Sequence, residues 1–296
     1  MHDDRVAFAT PATAPTWQRW LVFSPLARIV LFVVLWAACS MVLSFVAHAA
    51  GVPRATLGAP LWQLAFRAVA PLAAYLLLVK LVERRPVGEL SLRRLVPDGA
   101  LGLLAGAALF SAVVGVLWLL GSYHVVGTNP DAHWLAAALT VGLGAGIGEE
   151  IVSRGVVYRI VEEGLGSWAA LLVSAAFFGA AHLYNPGATL WAGTAIAIEA
   201  GILFGLVYLV TRSLWVCMGL HASWNFMQGT VFGIPVSGTR ADGWLVSTRT
   251  GPDWLSGGVF GAEASVVALT LCSLVSLVLL MLALRRGLLV PPAWRR

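Results

Sequence analysis

Long apolar runs separated by short polar breaks set the pattern of the chain. They fall at 29–50, 57–79, 99–121, 134–160, 167–184, 189–211, 213–233 and 260–284. At 1.5 Å of rise per residue, runs near 20 residues cross a hydrocarbon core about 30 Å thick. Backbone groups in lipid must be satisfied within their own segment, so runs of this kind are helices. The pattern therefore predicts eight transmembrane helices. Ala47-His48-Ala49 resembles a signal-peptide cleavage site, but the run before it exceeds a typical signal core, which predicts an uncleaved span. Arg67 lies near the outer end of the second run, where its aliphatic stem can reach the interface.

The polar breaks carry the orientation. Arg5, Arg19 and Arg28 precede the first span, and Lys80, Arg84, Arg85, Arg93 and Arg94 follow the second. With eight spans, Arg159, Arg212, Arg285, Arg286, Arg295 and Arg296 fall on that same side, against only Arg54, Arg240 and Arg249 on the other. The positive-inside rule then places both termini in the cytoplasm. The division is a cytoplasmic N-terminal segment at 1–28, two spans with a basic connector at 29–98, and a helical core at 99–233. An external loop at 234–258 and a last span with basic tail at 259–296 complete it. Segment 80–98, ending in Pro97-Asp98-Gly99, reads as a surface-lying, partly amphipathic connector.

Composition agrees and excludes alternatives. Of 296 residues, 59% are hydrophobic and 11% charged, against about 25% charged in a soluble domain. The net charge of +5 sits in loop clusters rather than along one polar face, which argues against a nucleic-acid partner. The partner is the lipid bilayer. Cys39, Cys217 and Cys272 lie singly in apolar runs without CxxC spacing and read as small buried hydrophobes. His2, His48, His124 and His133 sit at the tail or at the outer ends of spans and read as interfacial.

Against this background, ionisable groups inside the spans call for a reason, since each costs about 2.5–3.5 kcal/mol at a helix centre on insertion scales. Three short motifs hold most of them. In Gly148-Glu149-Glu150-Ile151-Val152-Ser153-Arg154, Glu150 and Arg154 share a helix face at i,i+4 and can pair. Glu149, turned about 100° away, has no local partner and is suited to general-base work in a low-dielectric site. Gly142, Gly144, Gly146 and Gly148 let another backbone come close. The second motif places Phe178 and His182 on one face, and the third does the same for His221 and Asn225. Counting rise along each span puts Glu149 and His182 each about 22 Å from the start of their spans, and His221 about 12 Å from the start of its own. All three fall in the central part of the membrane. One carboxylate, two imidazoles and an amide at that depth form a water-handling set.

Glu149-Glu150-Arg154, Phe178-His182 and His221-Asn225, in this order on apolar helices, resemble the EExxxR, FxxxH and HxxxN motifs of the CPBP family of intramembrane proteases, also called the Abi or CAAX prenyl protease type II-like family. The similarity spans roughly 80–230 and includes Glu89-Leu90-Ser91-Leu92. It implies an all-α polytopic membrane protein with about eight transmembrane helices around a polar intramembrane cavity. It implies an endopeptidase acting on a membrane-associated peptide or protein. Glu149 would activate water with help from His182, while His221 and Asn225 would stabilise the oxyanion. Glu150 and Arg154 would set the geometry and Phe178 would pack beside the site. Two cofactor arrangements stay open: no metal, or a divalent metal such as zinc on Glu149, His182 and His221, with Glu150 then the base. HExxH, the strong zinc signature, is absent.

Ser153 stands where the family pattern favours an apolar residue, and Glu199 is a further carboxyl in the sixth span that no motif explains. Glu199 is expected to pair with Arg154 or a histidine, to line the cavity mouth, or to hydrogen-bond between helices. The competing readings are a proton-coupled transporter using the Glu/His set and a catalytically silent scaffold or immunity factor. No inverted repeat supports the former, and the full polar set weighs against the latter. GxSxG, GxGD and P-loop signatures are absent. The sequence thus reads as a multi-pass protease of a bacterial plasma membrane.

Overall fold

The computed structural model describes residues 6–53, 56 and 59–296. His2, Arg5 and Arg54 lie outside the described residues. Helices form most of the expected spans among the described residues: α1 (Pro25–Ala49), α2 (Pro60–Glu83) and α3 (Leu92–Leu119) come first. The next helix, Trp134–His182, is one continuous run by hydrogen bonding but breaks at Gly166, whose φ of 82° and ψ of 171° suit glycine. It divides into α4 (134–165) and α5 (167–182). There follow α6 (Leu190–Thr211), α7 (Leu214–Phe226, extended through Met227–Val231) and α8 (Val266–Arg285).

Six helices among the described residues are long and apolar enough to cross a membrane, with α4 and α5 counted as one. The protein is integral to the membrane. The expected seventh span, α7, is not among the six, because His221, Asn225 and Gln228 dilute its apolar character. It needs little of it: nearly every residue from Leu214 to Asn225 is buried by protein rather than facing lipid. By contrast few α1 residues are buried, and the exposed Val30, Val33, Val34, Met41, Val42 and Phe45 are apolar surface for lipid contact.

Three boundaries differ from expectation. The third span starts at Leu92, not 99, and Pro97 lies inside it, so the connector shrinks to 84–91. Within it Glu89 and Leu90 are buried, while Arg84, Pro86 and Gly88 are exposed. The last span starts at Val266, because Ser265 caps it and 262–264 form a 3-10 turn. The all-helical expectation missed a two-stranded antiparallel sheet outside the spans, β1 (Tyr123–Thr128) with β2 (Leu245–Arg249).

Much of the arginine-rich set is not solvated. Glu83 lies 2.9 Å from both Arg28 and Arg159, and 2.8 Å from Arg85. Glu163 joins Arg28 at 2.7 Å and Arg159 at 2.9 Å, Glu89 joins Arg85 at 2.7 Å, and Glu162 pairs with Arg212. These ties bind the ends of α1, α2, α4 and α6. The chain beyond α8 docks on the α4–α5 break, where Ser167 and Val290 exchange hydrogen bonds of 2.8 and 3.0 Å.

At the opposite face, the segment 232–265 folds back over the helix ends. Gly238 N donates to Phe260 O at 2.7 Å, and Asp242 lies 2.9 Å from both Asn129 Nδ2 and His133 Nδ1. The Asp242 carboxyl is held below its usual range by those hydrogen bonds, His133 first. His124 stands on β1 and His48 is exposed at the end of α1, as expected of interfacial histidines. Cys217 and Cys272 are buried, Cys39 is partly so, and all three are free thiols.

Candidate active site

α4 brings the first motif to the centre of the molecule through a change of helical pitch. π-helical stretches at Ala138–Gly144 and Ile151–Tyr158 bracket the α-helical turn that holds Glu149 and Glu150. Such stretches occur often at functional sites. Close approach does the rest. A Cβ at Gly146 would stand 2.9 Å from Ala222 N of α7, and one at Gly148 would overlap the Arg67 carbonyl oxygen of α2. Only glycine at these two positions lets α4 press against both helices.

The expected pair forms: Arg154 Nη1 lies 3.0 Å from Glu150 Oε1, and both side chains are fully enclosed. Arg154 is also fixed by the Ala200 and Gly201 carbonyls of α6, at 2.8 and 3.2 Å. Its guanidinium stacks between the Phe178 and Phe204 rings, at 4.8 and 5.1 Å from their centroids. Phe178 is thus a packing residue, with the His182 ring 4.6 Å away on its other flank. Ser153, the departure from the family pattern, is simply buried.

Both histidines are oriented by their Nδ1 atoms. His182 Nδ1 donates to the Phe178 carbonyl at 2.8 Å, and His221 Nδ1 meets Glu150 Oε1 at 2.9 Å. Their Nε2 atoms both lie 3.8 Å from Glu149 Oε2. That is too long for a direct hydrogen bond and of a length that one shared water spans. Asn225 Nδ2 donates to Val141 O at 3.0 Å, which commits one of its two amide hydrogens. The structure therefore brings Glu149, His182, His221 and Asn225 to one place. Glu149 is less enclosed than a low-dielectric base would be, with 40% of its side chain exposed.

That exposure is to a groove of about 650 Å³. Glu149, His182, His221 and Asn225 line it together with Trp36, Phe66, Phe177, Arg67 and Arg240. It is mostly apolar with a few convergent polar groups, the usual make-up of a ligand site. Arg67, which is exposed, lines this wall. Glu199 does not pair with Arg154 or a histidine. It is buried beside a smaller space of about 20 Å³, large enough for about one water, which His182, His221 and Asn225 also line. Glu263 lines the same space and accepts from Ser237 N at 2.5 Å, while Glu199 Oε2 has no hydrogen-bond partner. Glu263 lies outside the spans, and burial holds its carboxyl above the usual range.

Glu149, His182 and His221 converge through atoms able to bind zinc. Among the described residues, however, no group of three His, Cys, Asp or Glu side chains is arranged to hold a metal ion. No step is routed through a metal.

Residues 131–227 match the model of the family described as Type II CAAX prenyl endopeptidase Rce1-like. This stretch is an Rce1-like domain. No curated protein and no solved structure matches the chain. The Rce1-like domain runs from just before α4 to just past Asn225, so all three polar motifs lie inside it. At the level of the family it supports an intramembrane peptidase of the CAAX type, in line with the motif resemblance. Two contributors to the surroundings lie outside it and carry no motif: Arg67 on α2 and Glu263 before α8. Only their being charged within or beside apolar runs could have singled them out.

Proposed function

We propose that the protein is an intramembrane endopeptidase in which Glu149 activates the attacking water. The carrying observation is the placement of Glu149 Oε2 at 3.8 Å from two oriented Nε2 atoms at the wall of a membrane-level groove. Glu149 takes a proton from water as the water oxygen adds to the peptide carbonyl carbon. His182, its Nδ1–H held by Phe178 O, accepts a hydrogen bond from that water at Nε2. His221, as the imidazolium with its Nδ1–H on Glu150, donates its Nε2–H to the developing oxyanion, as does the remaining amide hydrogen of Asn225. When the C–N bond breaks, Glu149 returns the proton to the leaving amine. Glu150 and Arg154 position the site without touching the substrate. No obligatory metal enters this scheme, and the arginine-rich face is the cytoplasmic one.

Purified protein in lipid nanodiscs, offered a library of membrane peptides, is expected to cleave a subset. His182→Ala and His221→Ala are expected to slow cleavage by about 10²-fold or more, and a chelator to leave it unchanged. Cleavage indifferent to both substitutions would overturn the assignment. Loss on chelation with rescue by zinc would replace the metal-free scheme.

A further inference from the structure

Glu199 and Glu263 are each 2% exposed and line the same space of about 20 Å³. They come from distant parts of the chain. Glu199 sits in a π-helical stretch of α6, Ala197–Ile202, and Glu263 in the 3-10 turn Ala262–Ala264 that ends the segment folded back over the helix ends. Glu83, Glu89, Glu150, Glu162 and Glu163 each have an arginine at ion-pair distance, whereas these two have none among the described residues. Glu263 Oε1 accepts from Ser237 N at 2.5 Å, and Glu199 Oε2 is buried without a hydrogen-bond partner.

The other groups around them are engaged elsewhere or uncharged. His182 of α5 and His221 of α7 turn Nδ1 to Phe178 O and Glu150, and Nε2 toward Glu149. Asn225 and Gln228 carry no charge, and Cys272 of α8 is a free thiol. Arg249 of β2 acts on Glu263 only from a distance and donates from Nη1 to Ser256 O at 2.6 Å. Burial accordingly holds the Glu263 carboxyl above its usual range, against the opposing pull of Ser237, His182 and Gln228. Two carboxylates without a cation between them do not both ionise in so confined a space. Once one is protonated it donates where the other accepts, directly or through the single water the space holds.

We propose that Glu199 and Glu263 together form a binding site for one proton, and that the bound proton fastens the segment 232–265 to α6. The proton is taken from water as the segment seats and returns to water when it lifts. Neutral hydrogen bonds fix the same junction: Trp191 Nε1 donates to Ala264 O at 2.7 Å, Gly238 N to Phe260 O at 2.7 Å, and Gln228 Nε2 to Pro235 O at 2.6 Å. They hold the segment at any pH, whereas the carboxyl pair makes its seating depend on acidity. Val236, Ser237 and Thr239 of this segment also line the groove, so the proton sets how firmly that wall is held. Separated, solvated glutamates titrate near about 4.3 and carry no proton at neutral pH. The seated state binds one proton more, so seating is favoured by acid and weakens as pH rises above that value. The site does not rest on the protease reading.

Hydrogen–deuterium exchange of the full chain in phosphatidylcholine nanodiscs, corrected for the intrinsic rate at each pH, tests this. The amides of Ile234, Ser237, Gly238 and Trp244 make the hydrogen bonds that hold the segment and report its opening. Their protection is expected to fall by at least about tenfold from pH 5 to pH 7, while that of α3 stays constant. Glu199→Gln and Glu263→Gln should each weaken the dependence, and the double substitution should abolish it, with melting temperatures showing that each variant is folded. Protection of the wild-type segment that does not vary with pH overturns the proposal, as does a dependence that survives the double substitution. A dependence lost in one single variant and untouched in the other assigns the proton to a lone carboxyl and overturns the shared site. If the double variant does not fold, the single variants decide, since a dependence unchanged in both overturns the proposal equally.

Discussion

Under the arginine-rich face, Glu83 meets Arg28, Arg85 and Arg159 at 2.8–2.9 Å; in the groove, Glu149 has nothing nearer than two imidazole nitrogens at 3.8 Å. Both carboxylates belong to the same helical bundle, but Glu83 is fully enclosed and Glu149 is 40% exposed. The first is neutralised by cations from three chain segments and joins helix ends together. The second is held by its helix alone: its side chain lines the groove, and its Oε2 is buried without a hydrogen-bond partner. Glu150 stands between the two conditions, paired to Arg154 yet shared with His221. Buried charge in this protein serves the fold where it is matched and points to chemistry where it is not.

Substitutions on the two sides of that comparison should separate activity from stability. His182→Ala is expected to lower kcat by about 10²–10⁴-fold with little change in melting temperature, as read by peptide cleavage and thermal unfolding of the same preparation. A comparable fall in melting temperature would make His182 part of the framework instead. Glu83→Gln takes one of two glutamate partners from each of Arg28, Arg85 and Arg159 and should destabilise the fold by about 3 kcal/mol. Its cleavage activity should survive at low temperature, where the protein is still folded. Glu199→Gln, which keeps shape and removes the ionisable group, should cost less than about tenfold in kcat. A loss equal to that of His182→Ala would bring Glu199 into the reacting set.

The smallest effect concerns pH. Glu89 lies between α2 and α3, outside the spans. Burial would raise its carboxyl, but hydrogen bonds and charge from Arg85 prevail and hold it below the usual range. The stabilisation from such a group is complete above the unfolded value, about 4.3, and is lost as pH falls through the lower folded value. Acidification below about pH 4.3 should therefore lower the melting temperature of the wild-type protein. Glu89→Gln should start lower and show a shallower fall over the same range. An unchanged slope would mean that Glu89 does not carry the linkage.

The spans and the motifs were legible for different reasons. Apolar length alone marks α1, α2, α3, α6 and α8, because lipid admits few other segments. Glu150–Arg154 follows from i,i+4 spacing, and the meeting of Glu149, His182 and His221 from depth along three helices. Spacing could not show what the arginines do. Arg28 and Arg159 look like surface charges marking orientation, but both are buried against Glu83 and Glu163, which stand 55 or more residues from one partner or the other. Such long-range matching leaves no local pattern. The early start of α3 was obscured by Pro97, which reads as a break in sequence but sits inside the helix. That Arg67 lies along Gly144 and Gly148 of another helix is likewise a long-range contact with no local pattern.

The most direct measurement is the single-turnover rate of Glu149→Gln on a peptide that the wild-type protein cleaves, with its melting temperature taken on the same sample. The expected result is a loss of at least about 10³-fold at unchanged melting temperature, because an uncharged amide cannot take the proton from water and no ion pair is broken. Cleavage at near wild-type rate by a folded Glu149→Gln protein would contradict the assignment of Glu149 as the base.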